Sequence, residues 1–596
     1  MTSAGRRFYK FGGFRLDAVE HLLYGPGGEV VPLKPKAVET LELLVRERGR
    51  LVGKEELMGR LWPDVAVEES NLSQHIYLLR KVLGAGADGR VYIETVPRRG
   101  YRFAAAVEEA SDDRPGAAAR AGGEPAPPPI SSLAVLPLAN ESADPEAEYL
   151  SDGITESIIN RLSRLSRLRV MARSTVFHYK GQRVTPGEVG RELGVRAVLT
   201  GRVLQLGGRL IVRTELVDAA DGWQLWGGQY DRLPADILEL QEAIAQDISE
   251  NLRLKLTGED QERLSKRHTE NAEAYHLFIK ARYYLHKRLT ETIQQATGYF
   301  QQAIDIDPSY AAAYVGLADS YPLLNLYGAL TPQEAYPKAE AAALRALEID
   351  DTLAAAHNSL GVIKLFYEWD WEGAEAAFRR SIELKPGYPD AHQRYGMLLV
   401  ARARFAEAAA ELERAREFDP LSLITKTISG YPSYYARDFG RAAERFREVL
   451  EMDPDYSMAR FRLGLTYAQE GMYEDAVAEL RRSVELSGDR DSVAALGYVY
   501  GLARRGAEAR ATLSELAARE KTGFVSSYDK ALVHLGLGDL EASLGWLERA
   551  YEERSYWLIY LRVDPALDPL RTRPRFVELL RKVFGRAGAR GERRPP

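Results

Sequence analysis

EESNLSQHIYLLRKVLG, residues 68–84, decides how the first hundred residues are read. Leu72, Ile76, Leu79 and Leu83 recur at i, i+4, i+7 and i+11, which predicts a helix with a single buried stripe. The opposite face displays Ser70, Asn71, Gln74, Tyr77, Leu78 and Lys81, with His75 and Arg80 at its borders. Arg80 is long enough to reach out past the stripe. This face holds amide, hydroxyl and cationic groups and no carboxylate, the side chains that hydrogen-bond base edges and phosphates. Taken alone, it reads more readily as an ordinary solvated surface.

The flanking sequence adds to that reading. KEELMGRLW (54–62) and the loop WPDVAVE precede the stretch, a helix–loop–helix arrangement suited to laying the second helix in a groove. PKAVETLELLVRER (35–48) predicts a further helix, and FYKFGGFRLD (8–17) and HLLYGPGGEVVPL (21–33) read as short strands broken by glycines. RVYIETVPRRGYRF (90–103) gives two strand-like runs around a basic turn, with Arg98 and Arg99 beside Gly100 at the tip. Two cations on a protruding ribbon suit phosphate rails or a minor groove, although a solubilising hairpin tip would look the same.

The whole segment resembles the OmpR/PhoB-type winged helix–turn–helix effector domain of bacterial regulators. The resemblance rests on Leu33-Lys34-Pro35-Lys36, Leu61-Trp62-Pro63, Asn71 through Gly84, and Thr95-Val96-Pro97-Arg98-Arg99-Gly100-Tyr101-Arg102-Phe103. It implies that the third helix reads the major groove of double-stranded DNA and that the wing reaches the neighbouring minor groove. Carried over by position, Asn71, Gln74, His75 and Lys81 become base or phosphate contacts, and Arg80, Arg99 and Tyr101 become backbone or wing contacts. With Ser70, Tyr77 and Arg98 they complete the candidate DNA-binding set. The resemblance further implies homo-oligomers on direct-repeat sites; RNA polymerase is a candidate partner of the winged helix only if the chain is an adaptor rather than a DNA-binding regulator. About seven residues precede the first strand, so control by a phosphorylated receiver domain is not expected and the regulator reads as one-component.

Working outward, residues 108–129 contain 14 Ala, Gly or Pro among 22 and no large apolar side chain. Such a stretch has nothing to bury and reads as a flexible tether of roughly 26 Å mean span. Residues 1–104 hold 17 Lys/Arg against 13 Asp/Glu, whereas the whole chain carries a net charge of −6. A basic module on an acidic body fits a polyanion-binding domain, though the imbalance is small.

Past the tether, strand-like SSLAVLPLAN, a helix near Glu146–Leu165, strand-like RLRVMAR and a short helix in GEVGRELG lead into a β-meander. Gly207-Gly208 and Asp221-Gly222 mark its turns. These elements predict a small α/β domain with a mixed sheet. Leu133-Ala134-Val135-Leu136-Pro137, Glu148 through Glu156 and Ala197-Val198-Leu199-Thr200-Gly201 resemble a TolB amino-terminal-like or FlgO-like domain. Asp152, Gly153 and Glu156 look site-like; the plainer reading is a turn and a helix cap, with Asp152 satisfying free amides.

From residue 272 to 555 the chain repeats, and the clearest copies lie 34 residues apart. Pro386, Pro420 and Pro454 keep one phase, as do Gly396, Gly430 and Gly464, and Leu412, Phe446 and Leu480. Phe405, Phe439 and Tyr473 are followed by Ala408, Ala442 and Ala476. Each unit reads as two helices that cannot bury their apolar faces alone, so neighbours stack into a solenoid. Weaker copies give about eight units, and Tyr321–Tyr336 breaks the phase as an insertion. Leu463-Gly464, Tyr467, Gly471, Tyr473, Ala476, Leu480 and Ser483 resemble the tetratricopeptide (TPR) repeat. That resemblance implies a protein or peptide partner in a concave groove.

Several classes are not expected. The chain has no cysteine, which removes disulfides, thiolate metal sites and cysteine nucleophiles. None of its nine histidines stands in an H-E-x-x-H pair, and no phosphate loop or nucleophile elbow occurs. Neither an enzyme, a metal nor a cofactor is therefore predicted. No secretory leader and no run of about 18 apolar residues is present, so no membrane role is expected and the cytoplasm is the default location.

The sequence thus predicts a multidomain chain: a winged helix (α+β) at 6–105, a linker at 106–129 and a small α/β domain with mixed sheet at 130–258. A connecting segment at 259–271, an all-α TPR solenoid at 272–555 and a helical cap with disordered tail at 556–596 follow. The expected function is sequence-specific transcriptional regulation with partner binding or oligomerisation by the array. The alternative is a TPR adaptor whose winged helix contacts protein rather than DNA.

Overall fold

Gly12 and Gly13 stand at φ +51° and +87°, a region that glycine enters without a Cβ clash. They turn β1 (Arg7–Phe11) back on β2 (Phe14–Asp17), with Phe11 opposite Phe14. The computed structural model describes residues 7–17, 22–25, 31, 33, 35–61, 69–84, 91–96, 99–111, 130–142, 144, 147–165, 167–206, 208–252, 258, 260–261 and 269–588. The chain divides into two compact units, 1–127 and 128–596.

The first unit continues through β3 (Leu22–Tyr24), α1 (Pro35–Arg46), β4 (Leu51–Gly53), α2 (Lys54–Leu61), α3 (Glu69–Leu83), β5 (Ile93–Val96), β6 (Gly100–Phe103) and β7 (Glu108–Ser111). Its strands form a four-stranded sheet in the order β3-β2-β1-β7 and a three-stranded sheet in the order β4-β6-β5. The stripe Leu72, Ile76, Leu79 and Leu83 is buried against Leu41, Leu44, Leu57 and Phe103, as the periodicity of residues 68–84 predicts. Glu108–Ser111, which composition places in the linker, instead pair as a strand with β1. The pairing is made by backbone groups, which leave no mark on hydrophobic pattern.

The second unit opens with β8 (Ser132–Val135), β9 (Ala139–Asn140), α4 (Glu148–Leu162), β10 (Arg169–Val170), α5 (Arg173–Phe177) and α6 (Pro186–Leu193). Next come β11 (Ala197–Leu206), β12 (Arg209–Asp218), β13 (Gln224–Arg232) and α7 (Ile237–Asn251). The sheet is mixed: β10, β8 and β11 run parallel, β11, β12 and β13 antiparallel, and β9 lies beside β11. Gly208 and Gly222, at φ +75° and +77°, lie at the two turns expected from their sequence. The long helix α7, which the sequence reading does not pick out, buries Ile237, Leu240, Ile244 and Ile248 at helical spacing.

Eight helical hairpins follow among the described residues. The first joins α8 (Ala272–His286) to α9 (Thr290–Ile306). Then Ala311–Leu326 pairs with Pro332–Ile349, Ala354–Ile363 with Trp371–Leu384, and Pro389–Ala401 with Phe405–Phe418. Leu423–Ser429 and Tyr431–Tyr435, broken at Gly430, pair with Phe439–Met452. Ser457–Gln469 pairs with Tyr473–Ser487, Arg490–Leu502 with Gly506–Arg519, and Ser527–Gly536 with Leu540–Glu552. A Cβ on Gly396, Gly430 or Gly464 would lie 2.7, 2.6 or 2.6 Å from Leu412, Phe446 or Leu480. The repeating glycine is thus where a first arm touches its own second arm. Tyr321–Tyr336 is no irregular insertion: it spans the end of one helix, a short connection and the start of the next. After the array, two 3-10 turns (Tyr556–Tyr560 and Pro565–Leu570) lead to a last helix, Pro574–Gly588. The tail expected beyond it, 589–596, lies outside the described residues.

Candidate nucleic-acid interface

The face of α3 opposite its buried stripe is the candidate surface. Tyr77 is 65% exposed, Lys81 is exposed and His75 and Leu78 are half-buried. Between Ser70 and Gly84 the chain has no Asp or Glu. Ser70, Asn71 and Gln74 lie on the helix backbone, but their side chains, together with all of Arg98, lie outside the described residues. Arg99 is exposed in the turn leading into β6.

Arg80 has a different task from the one its length suggests. Its Nε and Nη2 donate to the Ile93 carbonyl at 2.9 and 2.7 Å, and Nη2 also donates to Thr95 Oγ1 at 2.7 Å. The guanidinium ties α3 to β5, so helix and wing form one surface. Tyr101, placed among the wing contacts by resemblance, is only 5% exposed. It shares the inward face of β6 with Phe103, and this corrects the expectation that it contacts the backbone of DNA. The β6 turn depends on Gly100, at φ +150°, where a Cβ would stand 2.0 Å from the Val52 carbonyl oxygen. Lys36, a residue of the resemblance before α1, donates to the Leu61 carbonyl at 2.9 Å and pairs with Glu39 at 2.6 Å. It satisfies an open carbonyl at the end of α2.

In the second unit the site-like Asp152, Gly153 and Glu156 lie inside α4 rather than at a turn or cap. Lys180 reaches Asp152 at 2.5 Å and Glu148 at 2.7 Å. A Cβ on Gly153 points at Ile279 of α8, 2.7 Å away, so the glycine admits close packing of α4 on the array. Glu156 accepts from Arg282 Nε and Nη2 at 2.9 and 2.6 Å and lies 3.1 Å from Arg173 Nε and 3.5 Å from His286. Burial pushes the Glu156 carboxyl up, but Arg282, His286 and Arg173 together hold it well below the usual carboxylate range. Ser157, Gln241 and Tyr275 continue the joint, with Ser157 donating to Gln241 at 2.7 Å and Gln241 to the Tyr275 hydroxyl at 2.8 Å. Ser174 and Thr175 donate to Asp419, between the fourth and fifth hairpins. These residues lock the α/β domain to the array. Among the described residues no group of three or more His, Asp or Glu is placed to hold a metal ion, and no helix is long and apolar enough to cross a membrane.

Residues 28–103 match the family described as transcriptional regulatory protein, C terminal. Residues 130–246, whose motifs resemble a TolB-like or FlgO-like domain, match the HilA/YgeH-like transcriptional regulator second domain. Residues 365–424 and 434–491 match tetratricopeptide repeat families. A relative named "Putative adenylate cyclase 3" from Rhizobium meliloti (strain 1021) is 35% identical over 243 residues, 40% of this chain and 41% of that protein. Transcriptional regulator HilA of Salmonella typhi is 25% identical over 414 residues, 68% of this chain and 70% of that one. The chain thus spans under half of the first relative's length and somewhat over two thirds of the second's. Among solved structures, YrrB, a TPR protein with an unusual peptide-binding site, is 23% identical, covers 32% of this chain and 93% of its own, and has a TM-score of 0.23. The chain therefore carries an OmpR/PhoB-type DNA-binding domain, a HilA-like regulator domain and tetratricopeptide repeats.

Proposed function

We propose that this protein regulates transcription by binding specific DNA sequences as a one-component regulator, with α3 in the major groove and the wing on the neighbouring backbone. Asn71, Gln74 and Lys81 face base edges or phosphates, and Arg99 meets the flanking phosphates. Arg80 supports the surface from behind rather than touching DNA. The protein acts in the cytoplasm as a homo-oligomer on its sites, without enzymatic activity, and the array receives a protein or peptide partner. The observation that carries this reading is the two-sidedness of α3: a buried apolar stripe on one side, an exposed Tyr77 and Lys81 on the other, and a guanidinium clamp to the wing.

The test is the salt dependence of duplex binding by the full chain. Each phosphate contact contributes a slope of about −0.9 in log affinity against log salt. Lys81→Ala and Arg99→Ala should each weaken binding across sequences and flatten that slope by about one contact, whereas Tyr101→Phe should leave it alone. Binding that is insensitive to salt and to both cation removals would favour the adaptor reading, in which the winged helix meets protein.

A further inference from the structure

An array of helical hairpins open on its concave side shows first arms with one solvated face. Here four of them are covered. Pro389–Ala401, Ser457–Gln469, Arg490–Leu502 and Ser527–Gly536 bury ten, eight, ten and nine residues respectively, the cationic Arg462 among them. The second arms differ: Phe405–Phe418 buries only Ala408, Leu412 and Ala415.

The cover is the chain's own segment after the last hairpin. Leu558, Ile559, Tyr560, Leu561, Leu567 and Leu570 are each at most 2% exposed. Tyr560 stacks on Tyr435 with centroids 4.6 Å apart and meets Tyr431 edge-on at 6.2 Å. Trp557 lies 6.1 Å from Tyr528 and 6.3 Å from Phe461. Arg462 donates to the Tyr431 hydroxyl at 2.9 Å, and its guanidinium stands 5.0 Å from the Trp557 ring. Buried in this way, it is a cation held among aromatic faces. Tyr556 and the Trp557 indole N–H donate to Asp491, and the Tyr528 hydroxyl donates to Asp564 at 2.9 Å.

The array also closes over this filling. Phe524 N donates to the Gly328 carbonyl at 2.9 Å, joining the connection before the eighth hairpin to that within the second. Trp369 stacks on Tyr551 at 5.2 Å, and the Trp371 indole donates to the Val583 carbonyl at 2.9 Å. The phase-breaking stretch around 321–336 and the tryptophans of the third unit are therefore closure contacts.

We infer that the ligand of the array's concave face is the chain's own segment Tyr556–Leu570, and that outside peptides compete for it only if they carry the same chemistry. That chemistry is an adjacent aromatic pair, a third aromatic three residues on, and a carboxylate four residues after it. This inference rests on the reading of the array as a protein-interaction region and names what occupies it. Linkage to the array gives the segment an effective concentration in the millimolar range, about what a short tether supplies, so an added peptide binds weakly until the segment is loosened.

The probe is a fluorescein-labelled synthetic peptide of residues 555–572, titrated against the full chain. The wild-type chain should leave its anisotropy flat to about 100 µM, whereas the Tyr560→Ala chain should bind it at least about tenfold tighter, because the competing state is less populated. A peptide that itself carries Tyr560→Ala should gain nothing. Hydrogen exchange on the wild-type chain gives a second measurement should the variant fail to fold: the amides of 556–570 should exchange as slowly as those of Ser457–Gln469. Equal peptide binding by both chains, or rapid exchange across 556–570, overturns the inference. Duplex binding is measured on the same samples, and its loss in the wild-type chain would count against the DNA reading alone.

Discussion

Glu156→Gln tests how the α/β domain is held to the helical array. The carboxylate takes two donors from Arg282 on one oxygen and faces Arg173 and His286 with the other. Burial, with Arg173 nearby, drives His286 down to about 3, so the imidazole is neutral at working pH and the charge balanced is that of the two arginines. Glutamine keeps the shape and removes that balance. Removing one partner of a buried ion pair costs about 3–5 kcal/mol. The Arg173 and Arg282 side chains keep 20% and 26% of their surface in water, so the low end, about 3 kcal/mol, applies. An unfolding entropy of about 2.1 cal/mol/K per residue gives a unit of this size roughly 1 kcal/mol/K, so the transition of residues 128–596 should fall by about 3 °C. The pH dependence follows from the depressed Glu156 carboxyl. Its stabilisation is fully present above the ordinary carboxylate value and is lost as pH falls through the lower folded value. The gap between wild type and variant should therefore be level from about pH 5 to 8 and shrink only in stronger acid. Scanning calorimetry of the full chain reads the gap, and duplex binding checks that the amino-terminal unit is untouched. A gap under about 1 kcal/mol at pH 7, the size of a surface pair, would refute the assignment of this cluster as the joint.

Two further substitutions probe the backbone. Gly100→Ala places a methyl on the Val52 carbonyl at a φ that alanine avoids, and should cost about 3 kcal/mol or more; circular dichroism melting of the amino-terminal transition and duplex affinity should both fall, and a variant with wild-type melting would show that the β4–β6 crossing is not tight. Ala403→Gly should do the reverse. Ala403 sits at φ +59° in the turn between the arms of the fourth hairpin, where Gly471 holds the same place in the sixth at +78°. Relief of about 1–2 kcal/mol of left-handed strain, less the entropy glycine gains on unfolding, leaves a net stabilisation of about 0.5–1 kcal/mol, seen as a raised denaturant midpoint.

What the sequence could reveal about this molecule divides by the kind of partner each residue has. Leu72, Ile76, Leu79 and Leu83 announce their burial because the partner surface imposes a period on them. Gly396, Gly430 and Gly464 announce the hairpin because each meets the same close neighbour in every copy. Tyr101 is legible by the same logic: Phe103 points inward and strand parity carries Tyr101 with it, whatever its place in the wing. Arg80 is different, since the Ile93 carbonyl that captures it belongs to the backbone and is the same for any residue. Glu156 is different again, because Arg282 and His286 lie over a hundred residues downstream and only the folded chain brings them together. The segment 556–570 combines both difficulties. Its repeat phase is lost, so the sequence reads there only as a helical cap before a tail, yet Tyr556, Trp557, Leu558, Ile559, Tyr560 and Leu561 form an unbroken apolar run that water would not tolerate at a free end. The same run that disqualifies the segment as a solvated tail is what its place on the inner helices requires.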